Sequence, residues 1–105
     1  MSILEHYPLK LLYACVKAVL EAREYTLNAL RELGFTADDS ETNFVLAKHP
    51  GLDGQQTYLD LKEKGILVRH FHTPRLKDYN RITIGTMAQM ETFIAAIRQI
   101  MEERL

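Results

Sequence analysis

The sequence predicts an α/β protein of the two-layer α+β kind. It has a small three-stranded mixed sheet with the last strand central, helices packed on one face, and a long N-terminal helix. Three observations predict this. An apolar stripe at helical spacing runs from Leu12 to Leu33. Three short apolar runs rich in branched and aromatic residues follow, around residues 43–48, 66–71 and 81–85. Helical patterns separate the first two runs and follow the last.

The first helix is expected over residues 8–33. Pro8 suits a first helical position. Leu12, Cys15, Val16, Val19, Leu20, Leu27, Leu30 and Leu33 form the stripe, which places Cys15 as a buried, inert thiol. The stripe drifts between Glu21 and Tyr25, where a bend or break is expected. Gly34 is placed to close the helix in the left-handed region. Residues 1–7 read as a short lead-in, and the helix is long enough that one end is expected to project and need a partner. Residues 35–42 are polar and acidic, a loop or weak edge.

Asn43 to Lys48 is the first confident strand, ended at His49-Pro50-Gly51. Asp53 caps the next helix, with Gln56 as its reciprocal partner, and Gly65 ends it. Two strands follow, about Ile66 to Phe71 and Arg81 to Gly85. Thr86 and Gln89 then form a Thr-x-x-Gln box at the start of the last helix. Its core face is Met90, Phe93, Ile94, Ile97, Ile100 and Met101. A helix joins the first two strands, so they should run parallel; the last two, joined by a short connection, pair antiparallel. Placing the Arg81 strand between the other two satisfies both. One sheet face then has little to cover it.

At 105 residues the chain is one domain with one core. A net charge of −1 argues against a binder of phosphate backbones, so no nucleic-acid partner is expected. A single cysteine excludes a disulfide framework and a four-cysteine zinc site. Lys10 and Lys17 interrupt the longest apolar stretch, and the start lacks a basic-then-apolar leader. The reading is therefore cytoplasmic, with no membrane partner. Dinucleotide, nucleotide-phosphate and serine-nucleophile signatures are absent, and nothing read from the residues completes a catalytic apparatus.

The segment from Gly65 to Thr86 carries the chemistry. Arg69 and Arg81 lie in strands with apolar neighbours, where an unpaired charge is costly. Either each pairs with a nearby acid or snorkels from an edge, or the two wait for a carboxylate or phosphate that a guanidinium fork matches. His70 and His72 share one side of a strand and could share a metal, but no third ligand is evident.

Gly65-Ile66-Leu67-Val68-Arg69 followed by Tyr79-Asn80-Arg81-Ile82-Thr83-Ile84-Gly85-Thr86 resembles the C-terminal small domain of histidinol-phosphate aminotransferases, within the class I and II family of fold-type I. Ser40-Glu41-Thr42-Asn43-Phe44-Val45-Leu46, the Leu27 to Phe35 helix end and the Met87 to Glu91 helix start continue the likeness. The resemblance divides the chain into a helical extension, 1–22, outside it, and the small domain, 23–105.

It implies an aminotransferase of histidine biosynthesis that uses pyridoxal 5′-phosphate. By the same resemblance Arg81 grips the substrate carboxylate or phosphate, Arg69 is a second anion arginine, and Asn43 lies where the small domain approaches the site. Histidinol phosphate, glutamate and 2-oxoglutarate are the implied substrates. The cofactor's lysine follows a Ser/Thr-x-x-Lys pattern in that family, and none of Lys10, Lys17, Lys48, Lys62, Lys64 and Lys77 fits it. The expectation is thus a truncated domain, holding no cofactor of its own, inactive alone, and self-associating through its first helix. The alternative is a free-standing metabolite-binding or oligomerisation module.

Overall fold

A computed structural model describes residues 9–41 and 43–105, with side chains for 15–38 and 43–105. The lead-in, Pro8, Thr42 and the side chain of Leu12 lie outside the described residues. The element order is α1 (Leu9–Glu32), β1 (Thr36–Glu41), β2 (Phe44–Lys48), α2 (Gly54–Glu63), β3 (Arg69–His70), β4 (Asn80–Thr83) and α3 (Met87–Arg104).

The helices begin and end where side chains can satisfy their unpaired backbone groups. Asp53 accepts from the Gln56 backbone N–H at 2.9 Å. The expected reciprocal bond does not form, because Gln56 Nε2 donates instead to Asp60 one turn on. At α3 the box closes fully: Thr86 Oγ1 accepts from Gln89 N, and Gln89 Oε1 accepts from Thr86 N. α1 and α2 end in the same motif. Gly34 and Gly65 turn to φ of +92° and +84°. Phe35 N and Ile66 N then reach back to Leu30 O and Leu61 O.

The sheet has four strands in the order β1-β2-β4-β3, and every neighbouring pair is antiparallel. The Arg81 strand is internal, as expected. β2 and β3 each oppose β4, so they run parallel to one another without touching. The expected three-stranded mixed sheet is corrected in two respects. Acidic residues 36–41 form a full edge strand, because an edge needs no apolar alternation. No parallel pair is hydrogen-bonded, because β4 separates β2 from β3 and β2 separates β1 from β4. The strand expected over 66–71 pairs only at Arg69–His70.

Ala37, Val45, Ala47 and Ile82 point to the covered face and are buried. α1 and α3 pack against each other, and α1 also packs on β1 and β2. Leu30, Leu61, Ile94, Ile97 and Ile100 fill the core between the layers. α1 continues through Glu21–Tyr25 without the expected break. Cys15 is exposed, not buried, and so are Val16 and Leu20. Among the residues of α1 whose side chains are described, Ala22 is the first that is fully buried, with Val19 packed at the margin of the core, so the stripe outruns the sheet. No helix among the described residues is long and apolar enough to cross a membrane.

Two contacts fix α2. Its first residue must be glycine, since a Cβ on Gly54 would lie 2.6 Å from the Lys77 carbonyl oxygen. At its other end Asp60 is buried and accepts two bonds from Arg104 of α3, each 2.9 Å. Those bonds hold its pKa below the ordinary 3.8 against the opposing effect of burial, with a smaller contribution from Gln56. A depressed carboxylate pKa stabilises the fold above 3.8, and that stability is lost as pH falls through the lowered value. Asp60→Asn should therefore lower Tm by roughly 4–8 °C at neutral pH. In thermal melts across the acid range, its deficit against wild type should shrink below pH 3.8.

Candidate anion-binding site

The open sheet face gathers the residues with unspent charge. Along one row Asp38 opposes Leu46, Leu46 opposes Arg81, and Arg81 opposes Arg69. Side chains directly opposite one another point to the same face, so both guanidinium groups leave the sheet on its uncovered side. The sequence places each arginine on a strand. Only the register makes them neighbours.

Neither arginine has a carboxylate partner among the described residues. Arg81 lies over the Phe44 ring, with Cζ 4.2 Å from the centroid, and its Nε–H is buried with no acceptor. Arg69 lies over Phe71 at 5.5 Å. Aromatic faces steady a guanidinium without using its N–H donors. Like charges directly across a strand pair repel. The arrangement is two steadied cations with donors to spare, which is what a carboxylate or phosphate needs.

A cavity of about 420 Å³ connects them, lined by Tyr58, Arg69, His70, His72, Arg81 and Thr83 among others. A larger concavity, about 480 Å³, lies between the splayed segment before β3 and the start of α3. It is mainly apolar and has no charged lining residue, so it offers no chemistry of its own. Asn43 does not line the arginine cavity. It sits exposed before β2, where its carbonyl accepts from Ile84 N at 2.8 Å. His70 and His72 meet edge to face with centroids 5.2 Å apart, and no group of three metal-ligating side chains forms among the described residues.

Sequence reasoning missed three neighbours of the site: Phe44, Tyr58 and Asn80. Asn80 had a local signal. It precedes Arg81 in a strand, so it must face the opposite side, and a polar side chain there has to be satisfied. It is: Nδ2 donates to Gly54 O at 3.0 Å and Oδ1 meets His70 Nδ1 at 3.1 Å.

The family model for class I and II aminotransferases matches residues 2–97. Histidinol-phosphate aminotransferase of Microcystis aeruginosa is 45% identical over 83 residues, covering 79% of this chain and 24% of the relative. That of Marinomonas sp. is 46% identical over 88 residues, covering 82% and 25%. A provisionally assigned aminotransferase from Burkholderia pseudomallei superposes with a TM-score of 0.70 at 32% identity, covering 80% of this chain and 26% of that one. The histidinol-phosphate aminotransferase of Clostridium acetobutylicum, at 20% identity, shares the fold with a TM-score of 0.71 over 79% and 26%. The chain spans about a quarter of the length of the curated relatives it matches.

Pyridoxal 5′-phosphate is the cofactor of that family. It needs an amine for its aldehyde. The arginine cavity is lined by no lysine. The described residues there supply no amine for the cofactor's aldehyde.

Separating the two charges should relieve strain and remove binding together. Arg69→Thr is expected to raise stability by about 0.2–1 kcal/mol in urea denaturation, while weakening the binding of an anionic ligand measured by calorimetry.

Proposed function

This chain belongs to the class I and II aminotransferase family, and we propose that it supplies the substrate-anion part of a histidinol-phosphate aminotransferase site. Arg81 grips the carboxylate or phosphate of an amino-acid-like substrate, Arg69 adds a second guanidinium, and Asn43 lies at the margin. The substrates are histidinol phosphate in one direction and glutamate or 2-oxoglutarate in the other. The observation that carries this reading is the pair of opposed, unpartnered arginines on the open face.

The division of labour follows from the side chains. The guanidinium groups bind and orient the anion, and the Phe44 ring keeps Arg81 at a fixed height above the sheet. Neither arginine can take up the substrate's α proton at neutral pH, because a guanidinium stays protonated. The 105 residues by themselves bind but do not transaminate. This reading assigns the protein to the cytoplasm and to histidine biosynthesis.

Calorimetry with histidinol phosphate, glutamate and 2-oxoglutarate tests it. Heat of binding is expected from the wild-type chain, with Arg81→Ala at least about tenfold weaker. No heat, or equal heat from the variant, rules the reading out. Transamination by the isolated chain supplied with pyridoxal 5′-phosphate would overturn the inactivity.

A second reading, self-association through α1, is favoured by one observation. Val16 is 57% exposed and Leu20 47%. Such surface is commonly buried between copies. Light scattering at micromolar concentration is expected to give twice the chain mass or more; a single-chain mass counts against it.

A further inference from the structure

The ladder between β3 and β4 stops where the two arginines meet. It has two pairs, His70 with Asn80 and Arg69 with Arg81. Carried further, the same register sets Val68 opposite Ile82 and Leu67 opposite Thr83. The side chains already alternate as in a strand: Ile66, Val68 and His70 are partly buried, Leu67 and Arg69 exposed. Ile66 and Val68 pack against the core. Only the backbone bonds are missing. Among the described residues no hydrogen bond joins Leu67 to Thr83.

Thr83 has the groups such a pair needs. Ile84 N donates to Asn43 O, on the β2 side of β4. Backbone groups alternate in direction along an antiparallel strand, so Thr83 N–H and C=O point the other way, toward the segment before β3. The concavity of about 480 Å³ lies beside that segment, lined by Val68, Ile82, Met90 and Phe93 among others. Closing the ladder would pair the Thr83 groups and bring apolar walls together. Opposing it is the pair from which the ladder has to grow, two like charges directly across from one another.

We propose that an anion bound between Arg69 and Arg81 extends β3 to Leu67, so that charge repulsion holds the empty site open and the occupied site closes. This rests on the anion reading of the two arginines. Leu67 and Thr83 exchange two hydrogen bonds in the closed form, Leu67 N–H to Thr83 O and Thr83 N–H to Leu67 O. Pairs on both sides then fix the two guanidinium groups next to each other. That is unfavourable in an empty site and favourable when an anion bridges them, and this difference shifts the equilibrium.

Amide hydrogen exchange of the full chain, followed by NMR at one pH and one ionic strength, tests this with inorganic phosphate as the probe. Phosphate should slow exchange at Leu67 and Thr83 about three- to tenfold relative to sodium chloride. Without phosphate, Arg69→Gln, which removes the repulsion, should slow the same two amides about two- to fivefold. Arg69→Lys, which keeps the charge, should leave them as in the wild type. Phosphate that binds by calorimetry without slowing these amides overturns the proposal, and so does Arg69→Gln exchanging like Arg69→Lys. No heat from phosphate is the separate failure of the arginine reading. It overturns the anion as the trigger, and the contrast between the two variants then reports the repulsion alone.

Discussion

One buried amide ties together the end of the fold where the site lies. Asn80 belongs to the internal strand, bonds to the first residue of α2, and bonds to a ring on the edge strand β3. The bond to α2 spans 26 residues of chain and the bond to β3 spans ten. Without the bonds, the amide would be an unsatisfied polar group next to the core, a cost of about 1–3 kcal/mol. The same contact explains why β3 holds at all with only two paired residues: one of the two is His70.

The sheet is one-sided among the described residues. α1 and α3 bury Val45, Ala47 and Ile82 from one side, which supplies the stability. The other side is left with two guanidinium groups opposed across β3 and β4. A fold optimised only for stability would place an acid beside them. Their lack of one is a local cost that makes sense when the missing partner is a ligand. The chain belongs to the class I and II aminotransferase family and spans about a quarter of the length of the curated relatives it matches.

Much of this was legible in the residues. The two glycine helix ends and the Thr86–Gln89 box were, because each depends on contacts within one turn. The central position of the Arg81 strand followed from connection lengths. Three things were not legible. β1 is acidic and polar, and its pairing depends on β2 being beside it, not on its own pattern. The direct opposition of Arg69 and Arg81 is a matter of register, set by how the intervening connection folds. Cys15 was misplaced because helical spacing shows which residues share a face, but not how far along the helix that face is covered. The Gln56 side chain shows the same limit at short range: two partners lay within reach, and the tertiary pair Asp60–Arg104 decided between them.

The two borders of the sheet differ in kind. β1 carries Asp38, so an incoming strand from another molecule meets a negative charge there. β3 offers two paired residues before the chain leaves the plane, too short a template for further ladder growth. Exposed strand edges are where extended chains add to one another and begin to aggregate. With one broad face open, both rims of the sheet are poor templates for strand addition, so exposure in one direction does not become polymerisation in the other.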